Sequence, residues 1–206
     1  MTTHVILVTD KSGSMYDKAS DVRGGYNSYL DDLEKDTKMD YRISSMLFDT
    51  EYMALCVDAP LAEAPRLTET NYQAGGNTAL IDAVGKSITD FEKRTPSLGE
   101  TDRVLLVVLT DGYENSSYEY DNKAVQKMVK DREARGKWAC VFLGAGIDAW
   151  AQAGNLGFAS VASTRPTSKG YQTTYTSMSA NTRLFARGAT GQSVANSIQE
   201  DQDKIS

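Results

Sequence analysis

Residues 103–109 read RVLLVVL and stop abruptly at Thr110-Asp111-Gly112. A short, unbroken, β-branched run between polar signals fits a strand buried on both faces. Three further runs share this character: HVILVT at 4–9, YRISSMLF at 41–48 and WACVFL at 138–143. Between them the apolar spacing changes to that of helices. Residues 19–35 put Val22, Tyr26, Tyr29, Leu30 and Leu33 on one face, with Gly24-Gly25 as a weak point. Residues 78–93 stack Leu80, Val84, Ile88 and Phe91, and residues 121–135 turn Ala124, Val125, Met128 and Val129 inward before Gly136, a residue suited to a helix end. Strands alternating with helices imply an α/β domain, a doubly wound and mostly parallel sheet with helices on both faces. YMALCV at 52–57 adds an antiparallel edge strand as a hairpin, and a weak strand at 158–162 completes six. A short helix is expected near 148–154.

This pattern covers residues 1–162. Residues 163–206 are rich in Ser, Thr, Gln and Asn and read as a polar C-terminal extension, with one short helix near 177–187 packed on the domain. The segment 149–199 holds no acid but carries Arg165, Lys169, Arg183 and Arg187. It is either a tail packed on an acidic body or a docking segment for an acidic partner.

Composition removes several function classes. A net charge of −6 disfavours nucleic acid, whose phosphates need a basic surface. No apolar run approaches the roughly 20 residues of a membrane helix. The start, MTTHVILVTD, lacks the basic and apolar regions of a secretory leader, so a cytoplasmic location is expected. Two cysteines and one histidine leave no Cys/His zinc cluster and little room for a histidine triad. Cys56 and Cys140 fall on strands about 19 Å apart at four strand spacings, so both are expected as buried thiols. His4 is expected at the surface or edge, at the far end of the first strand.

In a doubly wound sheet, ligands bind at the carboxyl ends of the strands. Three polar groups fall there or beside a helix start: Asp10-Lys11-Ser12-Gly13-Ser14, Gly75-Gly76-Asn77-Thr78 and Thr110-Asp111-Gly112. Carboxylates and hydroxyls are oxygen ligands, which suit a hard cation. In the first loop alternate residues face one way, so Asp10, Ser12 and Ser14 converge on one ion. Helix capping is the alternative role of Asp10, Ser12 and Thr78.

Taken together, Asp10-x-Ser12-x-Ser14, Thr78 within GGNTAL and Asp111 within LTDG resemble the metal-ion-dependent adhesion site of von Willebrand factor A domains, with all five ligand positions matched. The resemblance spans about residues 4–162 and is similar in size to short intracellular bacterial and phage-type members. It implies five parallel strands, one antiparallel edge strand and a divalent ion, Mg²⁺ with Mn²⁺ or Ca²⁺ as alternatives. Asp10, Ser12, Ser14 and Thr78 would ligate directly or nearly so, and Asp111 through a water. The implied function is protein binding, with a partner's Glu or Asp completing the ion's coordination, and no enzymatic activity.

Two other functions stand beside it. A metal-dependent hydrolase or phosphotransferase would use the ion to polarise a phosphoryl group, but only Lys11 is available nearby as a base. A structural or assembly domain would satisfy the ion internally. Gly85-Lys86-Ser87 lacks the earlier glycine of a phosphate loop and lies within a helix. Gly144-Ala145-Gly146-Ile147-Asp148-Ala149 mimics a dinucleotide fingerprint but lacks the later acid, so it reads as a tight turn. The tyrosines of 113–120 either fold back on the body or form an aromatic rim beside Asp111.

Overall fold

A computed structural model describes residues 1–205. Its strands are β1 (Thr2–Asp10), β2 (Asp40–Phe48), β3 (Tyr52–Pro60), β4 (Arg103–Thr110), β5 (Trp138–Ala145) and β6 (Ser160–Thr164). Its helices are α1 (Ala19–Glu34), α2 (Leu80–Arg94), α3 (Asn122–Ala134), α4 (Ala149–Asn155), α5 (Ser168–Ala186) and α6 (Gly191–Asp203). The strands form one sheet in the order β3-β2-β1-β4-β5-β6, parallel except for the antiparallel β2–β3 edge. This is the expected α/β architecture.

The central strands are apolar throughout because they serve two cores. Val5 and Leu7 of β1 face α1, α5 and α6, while Ile6 and Val8 face α2, α3 and α4. The same alternation divides Leu105 and Val107 from Leu106 and Val108 on β4. The register pairs Asp10 with Phe48 and Thr9 with Leu109, so β1 and β4 end side by side where the strand order reverses.

The C-terminal segment differs most from expectation. In place of one short helix, residues after β6 form α5 and α6, and both belong to the first core. Tyr171, Tyr175, Met178, Phe185, Val194, Ala195 and Ile198 are all buried there. Helices α5 and α6 therefore complete a layer rather than decorate a finished domain. The acid-free segment does pack on an acidic surface, that of α1 and the turn after it. Ser168 donates to Asp21, Arg183 to the Asp32 carbonyl, and Arg187 to both oxygens of Asp36. At the α5–α6 turn, Arg103 lies 3.9 Å from the Phe185 ring centroid and donates to the Phe185 and Ala189 carbonyls.

Smaller corrections share one cause, namely that neighbours remote in sequence decide burial. His4 is buried, only 4% exposed, rather than at the surface. Its Nδ1 lies 2.7 Å from Asp58 Oδ1, and Phe91 meets its ring edge-on at 5.5 Å. Ala124 is exposed, and α3 anchors through Val125 and Val129. Cys140 is buried but Cys56, on the edge strand, is half-buried; both are free thiols. The last strand begins two residues later than expected. Among the described residues no helix is long and apolar enough to cross a membrane.

Candidate metal centre

Asp10 ends β1 with its side chain fully buried. Its Oδ1 accepts from the Ser12 amide at 2.6 Å and its Oδ2 from the Thr110 hydroxyl at 2.5 Å. The Tyr72 hydroxyl donates to the Asp10 carbonyl at 2.5 Å, which fixes the backbone where the strand turns into the loop. Burial pushes the Asp10 carboxyl up to about 6, against the lowering effect of these donors. All its hydrogen-bond donors are neutral.

The bend at Asp10 brings the other donors together. Ser12 Oγ lies 3.2 Å from Ser14 Oγ, and Ser14 Oγ donates to Asp111 Oδ1 at 2.5 Å. Lys18 donates to the second oxygen of Asp111 at 2.7 Å. Four of the five residues singled out in the sequence thus form one chain of contacts across the ends of β1 and β4. Thr78 reaches the same mouth by another route. Its hydroxyl packs so closely on Gly112 that a Cβ there would lie 2.7 Å away. The Thr78 amide donates to Asn115 Oδ1 at 2.9 Å, and the Asn115 amide donates to the Thr78 carbonyl at 3.0 Å.

Two backbone hydrogen bonds hold the Thr78 loop against the first: Gly13 donates to the Gly76 carbonyl and Gly75 to the Lys11 carbonyl. A third, from Ala79 to the Asp49 carbonyl, ties it to the turn between β2 and β3. Gly76 has φ +72°, and a Cβ at this position would sit 2.7 Å from Thr50 Oγ1, so glycine is required. Neither Ser12 nor Thr78 caps a helix through its side chain, which removes capping as their role.

Several partners carry no sequence signal of their own. Thr110, Tyr72 and Asn115 support the site from remote positions, and Lys18 reaches it from the 3-10 turn Gly13–Lys18. Only the position of Thr110, next to Asp111, hinted at a role. The loop after β4 is fastened by two more unsignalled carboxylates. Glu114 accepts from the amides of Ile81, Ser116 and Ser117, and Asp82 from those of Tyr118, Glu119 and Tyr120.

The donor set contains oxygen atoms alone. Two carboxylates and three hydroxyls, one carboxylate buried without a cationic partner, fit a hard divalent cation.

No family model matches the chain, and no curated protein matches it in sequence. Solved structures do match. The von Willebrand factor type A protein from Catenulispora acidiphila superposes with a TM-score of 0.64 at 16% identity, over 87% of this chain and 42% of that one. The fold is that of von Willebrand factor A domains. The vWF domain of the type V pili tip protein Mfa5 from Porphyromonas gingivalis gives 0.65 at 10% identity, over 91% and 97% of the two chains. The pilus adhesin SpaC from Lactobacillus rhamnosus GG gives 0.65 at 14%, over 87% and 30%. The chain thus spans less than half of the Catenulispora and SpaC proteins but nearly all of the Mfa5 domain.

Proposed function

We propose that the chain is a divalent-cation-dependent protein-binding module. Asp10, Ser12, Ser14 and Thr78 would hold the ion, Mg²⁺ by preference and Mn²⁺ or Ca²⁺ as alternatives, with Asp111 behind Ser14. The observation that carries this reading is the convergence of Asp10, Ser12, Ser14 and Asp111 around a buried carboxylate with no cationic partner. When bound, the ion would supply positive charge at the mouth, and a partner's Glu or Asp would be drawn to it.

The surroundings support binding over catalysis. His4 is buried at the opposite end of β1. Lys11 and Lys18 are committed to Asp49 and Asp111. Four aromatic side chains at this end point outward. Tyr16, Tyr113, Tyr118 and Trp150 are 75%, 56%, 80% and 55% exposed. Tyr113 and Tyr118 stand on the loop fastened by Glu114 and Asp82, so little ordering cost would accompany contact with a partner. Of the three tyrosines of that loop, Tyr120 folds back over Gly85. Two neighbours are described as a pilus adhesin and a pilus tip protein, in keeping with an interaction role. Free thiols at Cys56 and Cys140 suit the proposed cytoplasmic setting.

The test is capture from host lysate by the wild type and Asp10→Ala, each with Mg²⁺ and with EDTA. A protein retained only by the wild type with Mg²⁺ supports the reading, and Tyr113→Ser with Trp150→Ser should then weaken capture while sparing Mg²⁺ binding. Identical retention in all four lanes would overturn it.

A further inference from the structure

Lys18 closes the 3-10 turn that follows the first loop, four residues after Ser14. Its Nζ donates to Asp111 Oδ2 and to the Ser14 carbonyl, each at 2.7 Å. The Asp111 side chain is only 3% exposed, against 24% for Lys18. The other oxygen of Asp111 receives the Ser14 hydroxyl. Both oxygens of this carboxylate are therefore engaged by the protein, one of them by a full positive charge. Asp10 meets only neutral donors. The two acids of one site are thus treated differently.

We propose that Lys18 is the resident counter-charge of the site, a positioning residue that holds Asp111 away from direct ligation and leaves Asp10 as the single carboxylate to meet a divalent ion. The inference rests on the reading of the five residues as a cation site. Three consequences follow from charge alone. The ammonium opposes an incoming cation, so Lys18 weakens metal binding. By cancelling Asp111 it leaves more of the ion's charge uncompensated, which favours an anionic oxygen from a partner. In the metal-free protein it ties the loop after β1 to the loop after β4, so the mouth is formed before an ion arrives.

The experiment is calorimetric titration with Mg²⁺ alone of the wild type, Lys18→Met, Lys18→Arg and Asp10→Ala, with the melting temperature of each in EDTA. Lys18→Met should bind Mg²⁺ more tightly, on the order of tenfold, the scale of removing one nearby like charge. It should melt lower than the wild type in EDTA and gain more from Mg²⁺. Lys18→Arg keeps the charge and should bind Mg²⁺ as the wild type does. A lower melting temperature in Lys18→Met with Mg²⁺ affinity unchanged or weakened would show a purely structural tie and overturn the proposal. If the wild type and Asp10→Ala both fail to bind Mg²⁺, the cation-site reading itself falls, an outcome distinct from failure of the Lys18 proposal.

Discussion

Ser14 donates its hydroxyl to Asp111 at 2.5 Å, although 97 positions separate the two in the chain. The contact exists because β1 and β4 lie side by side and parallel, so their following loops share one mouth. The site is therefore a property of strand order rather than of either loop.

Asp10 is the residue whose loss separates site from fold. An asparagine there can accept from the Ser12 amide and donate to the Thr110 hydroxyl, keeping both contacts while removing the buried charge. In EDTA at neutral pH, Asp10→Asn should melt at or above the wild-type temperature. Mg²⁺ should raise the melting temperature of the wild type and leave the variant unmoved. An equal Mg²⁺-induced rise in both proteins would remove Asp10 from the site.

Gly24 and Gly25 are adjacent in α1 but face different surroundings. A Cβ on Gly25 would meet the Tyr175 ring of α5 at 2.1 Å, whereas one on Gly24 would meet nothing within 4 Å. Gly25→Ala should therefore destabilise the protein by about 2 kcal/mol through overpacking. Gly24→Ala should stabilise it by up to about 1 kcal/mol through helix propensity. Thermal melts of the two variants should shift in opposite directions; shifts of the same sign would contradict the α1–α5 packing.

That pair also shows how far the sequence could be read. A local rule marked both glycines as weak points, and only the position of Tyr175 distinguishes them. The central strands were legible because burial on both faces makes Val5–Val8 and Val104–Leu109 continuous apolar runs. The meeting of Asp10, Ser12, Ser14 and Asp111 was legible because oxygen donors recur after β1 and β4, which lie side by side. Helix α6 was not, since Val194, Ala195 and Ile198 are thinly spread among polar residues. Helix α5 was half hidden because it buries Thr174, Ser177, Asn181 and Thr182 along with its tyrosines. His4, Lys18 and Asn115 owe their places to partners far away in the chain, which no local pattern reveals.

Asp82 is buried in the first turn of α2 and accepts from three successive amides of the tyrosine loop. Asp82→Ala leaves those donors unmet, at a cost of about 2 kcal/mol or more. Amide exchange at Tyr118, Glu119 and Tyr120 should accelerate, while exchange in the β4 core should follow only the global loss of stability. Unchanged protection of the three amides would show that the carboxylate does not hold the loop.

Asp36 links α1 to α5 through Arg187 and also accepts from the Tyr41 hydroxyl at 3.0 Å. Burial alone would raise its carboxyl, but the Tyr41 hydroxyl and the Arg187 guanidinium outweigh burial and hold it below the usual range. A depressed carboxyl stabilises the fold above the ordinary carboxylate value, and that contribution disappears as pH falls through the folded value. Arg187→Ala should cost about 1 kcal/mol at pH 7, since the guanidinium is partly exposed. The difference from wild type should narrow as pH falls below about 4. Urea unfolding at several pH values would read this, and a gap as wide at pH 3 as at pH 7 would refute the linkage.

The packing of α5 and α6 makes a prediction about where the fold ends. Without them, Leu105, Val107, Val141 and Leu143 on one face of the sheet, together with Tyr26 and Tyr29 of α1, lose the cover that Tyr171, Tyr175, Phe185 and Ile198 provide. Exposing several large apolar side chains costs about 1.5–3 kcal/mol each, which together exceeds the usual margin of a domain this size. A chain ending at residue 166 should therefore fail to fold cooperatively and should bind a hydrophobic dye. A chain ending at residue 189 keeps α5 but loses Val194, Ala195 and Ile198, and should fold with a lowered melting temperature. A cooperative melt of the shorter chain near the wild-type temperature would mean that residues 1–162 stand alone, as the sequence pattern first implied.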